Sequence, residues 1–154
     1  ETIRDLRRVT HALRPLYLDD LGLVAALDML TRETQESAAI PITFQRLGLE
    51  RRLPPETELA LYRIAQEGLS NVVRHAEADK ASLSLVFSPD TISLTISDNG
   101  IGFTVPESPA EFAPGGHFGL LGLYERAEII NAKLDIRSVK GEETDLLVIL
   151  SSDL

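Results

Sequence analysis

The chain has 154 residues, enough for one domain with a proper core, and carries a formal charge of −9 from 15 basic and 24 acidic residues. That balance argues against nucleic acid or an anionic membrane as the main partner, so an anionic ligand needs local help from helix N-termini, a few basic side chains or a metal ion. With no cysteine there is neither a disulfide framework nor a thiolate metal site, and no apolar run approaches the roughly 18 residues of a membrane span.

The chain opens at Glu1, without a signal peptide, inside a helical pattern that reads as part of something longer. Ile3, Leu6, Thr10 and Leu13 follow 3-4-3 spacing with Val9 beside them, a coiled-coil or bundle seam cut short. His11 reads as a seam or surface histidine, since no acid or metal-spaced partner sits near it. Pro15 stops the helix, and Leu16–Leu18 is expected as a short connector. Asp19 or Asp20 is expected to cap the next helix, whose apolar stripe is Leu23, Ala26, Leu27 and Leu30. Ala38-Ala39-Ile40-Pro41 ends that helix, and Ile42, Phe44 and Leu47 mark a strand.

Pro54-Pro55-Glu56 opens a third helix with a broad apolar face from Leu59 through Leu61, Ile64, Ala65, Gly68 and Leu69 to Val72. Its polar residues Glu67, Asn71, Arg74 and His75 stand at i, i+4, i+7 and i+8, along one side. They read either as a solvated face or as a site for hydrated Mg²⁺, which takes only one or two protein oxygens. Gly68 in mid-helix costs about 1 kcal/mol against alanine and suggests close approach by another element.

Ala81–Phe87 and Thr91–Ser97 predict a hairpin across Ser88-Pro89-Asp90. The second strand runs into Asp98-Asn99-Gly100-Ile101-Gly102, a carboxylate at the mouth of a sheet beside backbone able to approach a ligand closely. Thr104–His117 has no period of either kind and predicts a long loop, either a functional lid or a disordered segment, whose mobility suits a cover over a nucleotide. The glycines of Gly115–Gly122 then lead into a helix from Leu123, leaving N–H groups that suit an anion or, equally, a hinge. Lys133–Ser138 and Asp145–Leu150 predict two further strands across Gly141-Glu142-Glu143-Thr144.

In this order Glu67-x-x-x-Asn71, Asp98-x-Gly100-x-Gly102, the loop and Gly119-x-x-Gly122 resemble the ATP-binding domain shared by histidine kinases, DNA gyrase, Hsp90 and MutL. More narrowly, Tyr62–Ala76 resembles the asparagine box of nitrate-sensor-type histidine kinases. Gly119–Ala127 is similar to their Gly-Leu-x-Gly-Met-x-Glu-Arg segment. Leu13-Arg14-Pro15 with Leu21-Gly22-Leu23 resembles their junction between dimerisation helix and catalytic domain. The likeness covers nearly the whole chain.

The resemblance implies an α+β fold of the Bergerat type: a two-layer α/β sandwich with a mixed, mostly antiparallel sheet backed by helices. It divides the chain into the end of a dimerisation helix (1–14) and a catalytic ATP-binding domain (15–154) with a lid at about 103–118. On that pattern Asp98 accepts the adenine amino hydrogen while Gly100 and Gly102 close over the base. Asn71 ligates Mg²⁺, with Glu67 reaching it through water. Backbone around Gly119, Leu120 and Gly122 holds the phosphates, Arg74 and His75 line the phosphate side, and Thr144 supports Asp98. Glu67 is the catalytic carboxylate, accepting a proton near the γ-phosphate.

The implied partners are the protein's own dimerisation and phosphoacceptor domain and a response regulator, with no nucleic acid. A homodimeric parent, cytoplasmic in this part and with its membrane attachment left open, is expected. Because the acceptor histidine lies on an earlier helix, the chain is expected to bind ATP without autophosphorylating. A nucleotide-binding anti-sigma-like regulator and a gyrase- or Hsp90-like ATPase are the alternatives. Two positions depart from the pattern: Leu123 stands where the family often has methionine, and Glu143 where it has glycine. If the Glu143 position requires positive φ, strain there displaces Thr144.

Overall fold

The computed structural model describes residues 15–102 and 118–151, without the side chains of Leu16, His75, Ala76 and Phe118. The expected dimerisation-helix end at 1–14, with His11, and all but the end of the expected lid lie outside the described residues. Two helices come first, α1 (Leu16–Leu21) and α2 (Leu23–Ala38), divided at Gly22. Leu16–Leu18 is therefore helical and not a connector, and Asp19 and Asp20 lie inside α1 instead of capping α2. The reason is that proline has no N–H to lose at a helix start, so Pro15 begins a helix as readily as it ends one; its carbonyl accepts the Leu18 N–H at 3.2 Å.

The α2 stripe of Leu23, Ala26, Leu27 and Leu30 is buried as its spacing predicts. Ala39 closes the helix in the left-handed region, and the Gln35 side chain accepts the Ile42 N–H at 2.7 Å, steering the chain into β1 (Ile42–Leu47). Pro55 starts α3 (Pro55–Asn71), which runs without a break into a π-helical turn, Val72–Ala76. Then follow β2 (Ala81–Phe87), β3 (Thr91–Asp98), α4 (Phe118–Ile129), β4 (Lys133–Ser138) and β5 (Thr144–Ser151).

The strands form one five-stranded sheet in the order β1-β2-β3-β5-β4. Only β1 and β2 are parallel; the other pairs are antiparallel. Period-two alternation gives the sheet its two faces. Leu83, Leu85, Ile92, Leu94, Ile96, Leu146 and Val148 are buried, while Ser82, Ser84, Ser93, Thr95 and Ser97 stay half-buried on the other side. Against the apolar face α2 packs on β1, α3 on β3 and α4 on β4, which makes the two-layer α+β sandwich. Fully burying one such leucine or isoleucine contributes about 1.5–3 kcal/mol, so this face dominates the stability.

Gly68 explains how closely α3 sits on β3. A β-carbon there would overlap Ile96 Cδ1, so the glycine lets the helix lie down on the central strand. At the start of α3, Glu58 is buried at 2 % exposure and takes both Arg52 Nε and Nη2 at 3.1 Å. Arg52 Nη2 also donates to the Asp19 carbonyl at 3.0 Å, tying α1, the 50–54 connection and α3 together. Tyr17 and Tyr62 share a hydroxyl hydrogen bond of 2.9 Å between the same elements. Burial, with Tyr17 beside it, pushes the Tyr62 hydroxyl pKa well up.

Candidate functional site

The end of β3 turns a carboxylate into the interior. Alternation puts Asp98 on the helix-facing side with Ile96 and Leu94, and only 6 % of it is exposed. Its Oδ1 accepts the Gly100 N–H at 2.7 Å. Burial pushes the Asp98 carboxyl above the usual carboxylate range; the Gly100 N–H works against this, and Asp145 and Glu143 add to it. No arginine or lysine among the described residues forms an ion pair with Asp98. A buried acid with one backbone donor and acidic neighbours is suited to a neutral hydrogen-bond donor arriving from outside.

Thr144 is the register partner of Asp98 across β3 and β5, so the two side chains leave the sheet on the same face. Its hydroxyl pairs with Ser138 Oγ at 2.7 Å. Glu143 is not strained: among the described residues the non-glycine positions at positive φ are Ala39, Glu77 and Asn131, and in this turn Gly141 takes the left-handed backbone at φ 90°. Thr144 accordingly stays in register.

Gly102 has φ 67°, and a β-carbon there would strike the carbonyl oxygens of Val139 and Glu142. The Gly141 N–H donates to the Ile101 carbonyl beside it. These contacts fasten the turn after Asp98 to the β4–β5 turn. On its other side Asn99 fastens the same turn to the approach to β2. Its Oδ1 accepts the Asp79 and Lys80 N–H groups at 2.9 and 3.0 Å, and its own N–H donates to the Lys80 carbonyl at 3.3 Å.

Along α3, Glu67 and Asn71 lie half-buried one turn apart. Arg74 reaches back to Glu67, Nη2 to Oε1 at 3.4 Å, and sends Nε toward the Ser70 carbonyl at the same distance. A uniform α-helix would stack Glu67, Asn71, Arg74 and His75 in one column, but the π turn begins directly after Asn71 and changes the phase for the last two. Gly119, Leu120 and Gly122 lie inside α4 and not ahead of it, because the helix begins at Phe118 instead of Leu123. Gly119 and Leu120 thus keep first-turn N–H groups without helical acceptors, while Gly122 lies a turn further in. Leu123 is fully buried.

The residues fit the groups that the motifs imply. Asp98 has no cation partner among the described residues, Gly102 leaves backbone where no side chain fits, and an amide oxygen at Asn71 stands one turn from a carboxylate. No three His, Cys, Asp or Glu side chains gather into a metal cage among the described residues. A divalent ion held here would need water and phosphate oxygens to complete its shell, as Mg²⁺ accepts. A cavity of about 90 Å³ beside Arg51, Thr57 and Ile92 lies at the other end of β3, away from Asp98.

Reading the sequence missed two groups. Asn99 gave no periodic signal. Glu58 did give one, standing at i−3 and i−7 from Leu61 and Ala65 on the apolar stripe, where a carboxylate must find a partner.

Residues 56–153 match the family model described as histidine kinase-, DNA gyrase B- and HSP90-like ATPase. The chain belongs to this family, and the relatives it matches over most of its own length are sensor histidine kinases. It is 31% identical over 147 residues to the signal transduction histidine-protein kinase/phosphatase DegS of Brevibacillus brevis, covering 96% of this chain and 37% of that protein. With the sensor histidine kinase MctS of Rhizobium johnstonii it shares 44% over 142 residues, 92% of this chain and 30% of the relative. With the oxygen sensor histidine kinase NreB of Staphylococcus carnosus the figures are 34% over 136 residues, 88% and 38%. The chain thus spans about a third of the length of these relatives.

Among solved structures, the histidine kinase domain of the Erythrobacter litoralis blue-light activated histidine kinase superposes with a TM-score of 0.68 at 21% identity, over 84% of this chain and 61% of that one. Acinetobacter baumannii histidine kinase AdeS gives 0.65 at 13% identity, over 86% and 64%. At these identities the likeness concerns the fold, and it supports the mixed sheet backed by helices.

Proposed function

We propose that this chain binds Mg-ATP between α3 and the 103–118 segment, and that the full-length protein transfers the γ-phosphoryl group to a histidine on its own dimerisation helices. The observation that carries the reading is Asp98, a buried carboxylate with a backbone donor and, among the described residues, no cation partner. Ionised Asp98 accepts the adenine amino hydrogen, Gly100 and Gly102 bring backbone against the base, and Thr144 supports the carboxylate. Asn71 would hold Mg²⁺, with the Glu67 carboxylate one turn away to assist it. Arg74, His75 and the backbone of Gly119, Leu120 and Gly122 take the phosphates.

Bound Mg²⁺ supplies charge neutralisation between the phosphates. In the transfer the bond from the γ-phosphorus to the ADP oxygen breaks and one to an imidazole nitrogen forms, with the imidazole proton passing to Glu67. Positioning and charge stabilisation supply most of the acceleration in such a reaction. The phosphoryl group then passes to a response-regulator aspartate. Residues 1–14 are the end of the dimerisation helix of a homodimer, residues 15–154 the catalytic domain, and the setting is cytoplasmic, without nucleic acid. Among the described residues no helix is long and apolar enough to cross a membrane.

Calorimetric titration of the chain with Mg-ATP, beside Asp98→Asn, tests this. Saturable Mg²⁺-dependent binding is expected, weakened at least about tenfold in the variant (about 1.4 kcal/mol). Equal binding by both proteins removes the role of Asp98, and absence of binding by the wild type removes the nucleotide reading. The isolated chain is expected not to autophosphorylate; radiolabel appearing on His11 would contradict that.

A further inference from the structure

We infer that Asn99 is a positioning residue for nucleotide binding: it ties the turn that carries Asp98 to the chain leaving the Glu67–Asn71 helix. The inference rests on the Mg-ATP reading above and concerns a residue to which that reading gives no role.

The helix that carries Glu67 and Asn71 ends in the π turn Val72–Ala76, passes Glu77 in the left-handed region and reaches Asp79 and Lys80 just before β2. Two N–H groups of that exit, on Asp79 and Lys80, are both accepted by the single oxygen Asn99 Oδ1, at 2.9 and 3.0 Å. The Asn99 N–H returns a third bond to the Lys80 carbonyl at 3.3 Å. Ladder pairing has ended on both chains here, since Ala81 opposite Asp98 is the last β2–β3 pair. The side chain of Asn99 thus continues the attachment past the sheet to the two residues before β2, Asp79 and Lys80.

The next residue, Gly100, gives the N–H that holds Asp98 Oδ1 at 2.7 Å. Asn99 therefore stands between two linked tasks. It fixes the direction in which the backbone leaves β3, and so the Gly100 donor and the Asp98 carboxylate. It also fixes where the chain leaves the phosphate-side helix. Asn99 itself is exposed and belongs to no core, so its bonds act on geometry more than on burial. An acceptor oxygen one carbon beyond Cβ meets the need. Alanine has none, and aspartate keeps it.

The test uses the chain as it stands, titrated with Mg-ATP as wild type, Asn99→Ala and Asn99→Asp, with amide exchange followed at Asp79 and Lys80. Asn99→Ala is expected to bind about tenfold more weakly, with fast exchange at those two amides, while the amides of Leu94 and Ile96 stay protected. Asn99→Asp is expected to bind within about threefold of wild type and to restore the protection. Asn99→Ala binding as tightly as wild type overturns the inference. So does loss of binding in both variants, since the amide group would then be needed for something other than its oxygen. A wild type that does not bind Mg-ATP removes the nucleotide reading itself, an outcome distinct from either.

Discussion

Gly68 and Ile96 meet where α3 crosses β3, and the glycine hydrogen occupies the only space left between the helix backbone and Ile96 Cδ1. The contact sets the height of Glu67 and Asn71 above the strand that ends in Asp98. Gly68→Ala gains helix propensity of about 1 kcal/mol but pushes a methyl group into a packed contact costing about 1–3 kcal/mol. Net destabilisation of about 1 kcal/mol is expected by urea denaturation. Ile96→Val removes the opposing methyl, so the double variant should recover most of that loss in a double-mutant cycle.

Asp98 sets stability against the proposed nucleotide binding. Its carboxyl is raised in the fold, chiefly by burial, so the folded chain holds this proton more tightly than the unfolded chain does. The contribution of Asp98 to stability is therefore most favourable at low pH and declines as pH rises from the ordinary carboxylate range through the raised folded value. Nucleotide binding that needs the ionised carboxylate moves the other way, strengthening over the same window. Asp98→Asn is expected to raise the unfolding midpoint of the nucleotide-free chain by a few degrees, the effect of about 1 kcal/mol, and to flatten both pH profiles. Thermal melts from pH 4 to 8 check this.

Arg52 and Glu58 form the most buried ion pair among the described residues, with the carboxylate 3% exposed. Arg52→Ala leaves that carboxylate inside without the two guanidinium donors, with the Leu53 N–H at 3.3 Å remaining. It is expected to lower the denaturation midpoint clearly more than Arg32→Ala, which removes an exposed pair with Asp28. Replacing both Arg52 and Glu58 with apolar residues should recover part of the loss. Side-by-side chemical denaturation distinguishes these outcomes.

Gly102 and Gly141 both have positive φ, at 67° and 90°, yet only Gly102 lacks room for a β-carbon. Gly141→Ala should cost only the left-handed backbone penalty of about 1–2 kcal/mol. Gly102→Ala adds a collision with two carbonyl oxygens, so a loss above about 2 kcal/mol is expected, together with weakened Mg-ATP binding. Stability and calorimetry on the two variants separate backbone strain from steric exclusion.

The strands and the long amphipathic helices were legible because burial imposes a strict period on them. Ala81–Phe87 and Lys133–Ser138 have the bounds that the sequence predicts, and Thr91–Asp98 exceeds its prediction by one residue. Boundaries set by backbone options were less visible. Pro15, expected from the sequence to end a helix, begins one, and the tolerance of α4 for Gly119 and Gly122 hides its true start. The motif residues could be found from their spacing, but what holds them could not. Asn99 works through hydrogen bonds to backbone, to which any residue type at positions 79 and 80 except proline contributes alike. The π turn after Asn71 is similarly silent, since its residues Val72–Ala76 suit an ordinary helix.

The order of the strands has a kinetic consequence. β2 and β3 join through a three-residue connection and form a local hairpin, whereas Asp98 meets Thr144 only after the whole chain from 99 to 143 has been gathered in. Pairings so distant along the chain carry a larger loop-closure cost and tend to form after the main folding barrier. The proposed nucleotide site at that end is then completed late, on the native side of the barrier. A nucleotide held there should slow unfolding and leave the folding rate nearly unchanged, lengthening the life of each folded molecule without helping a new one to form.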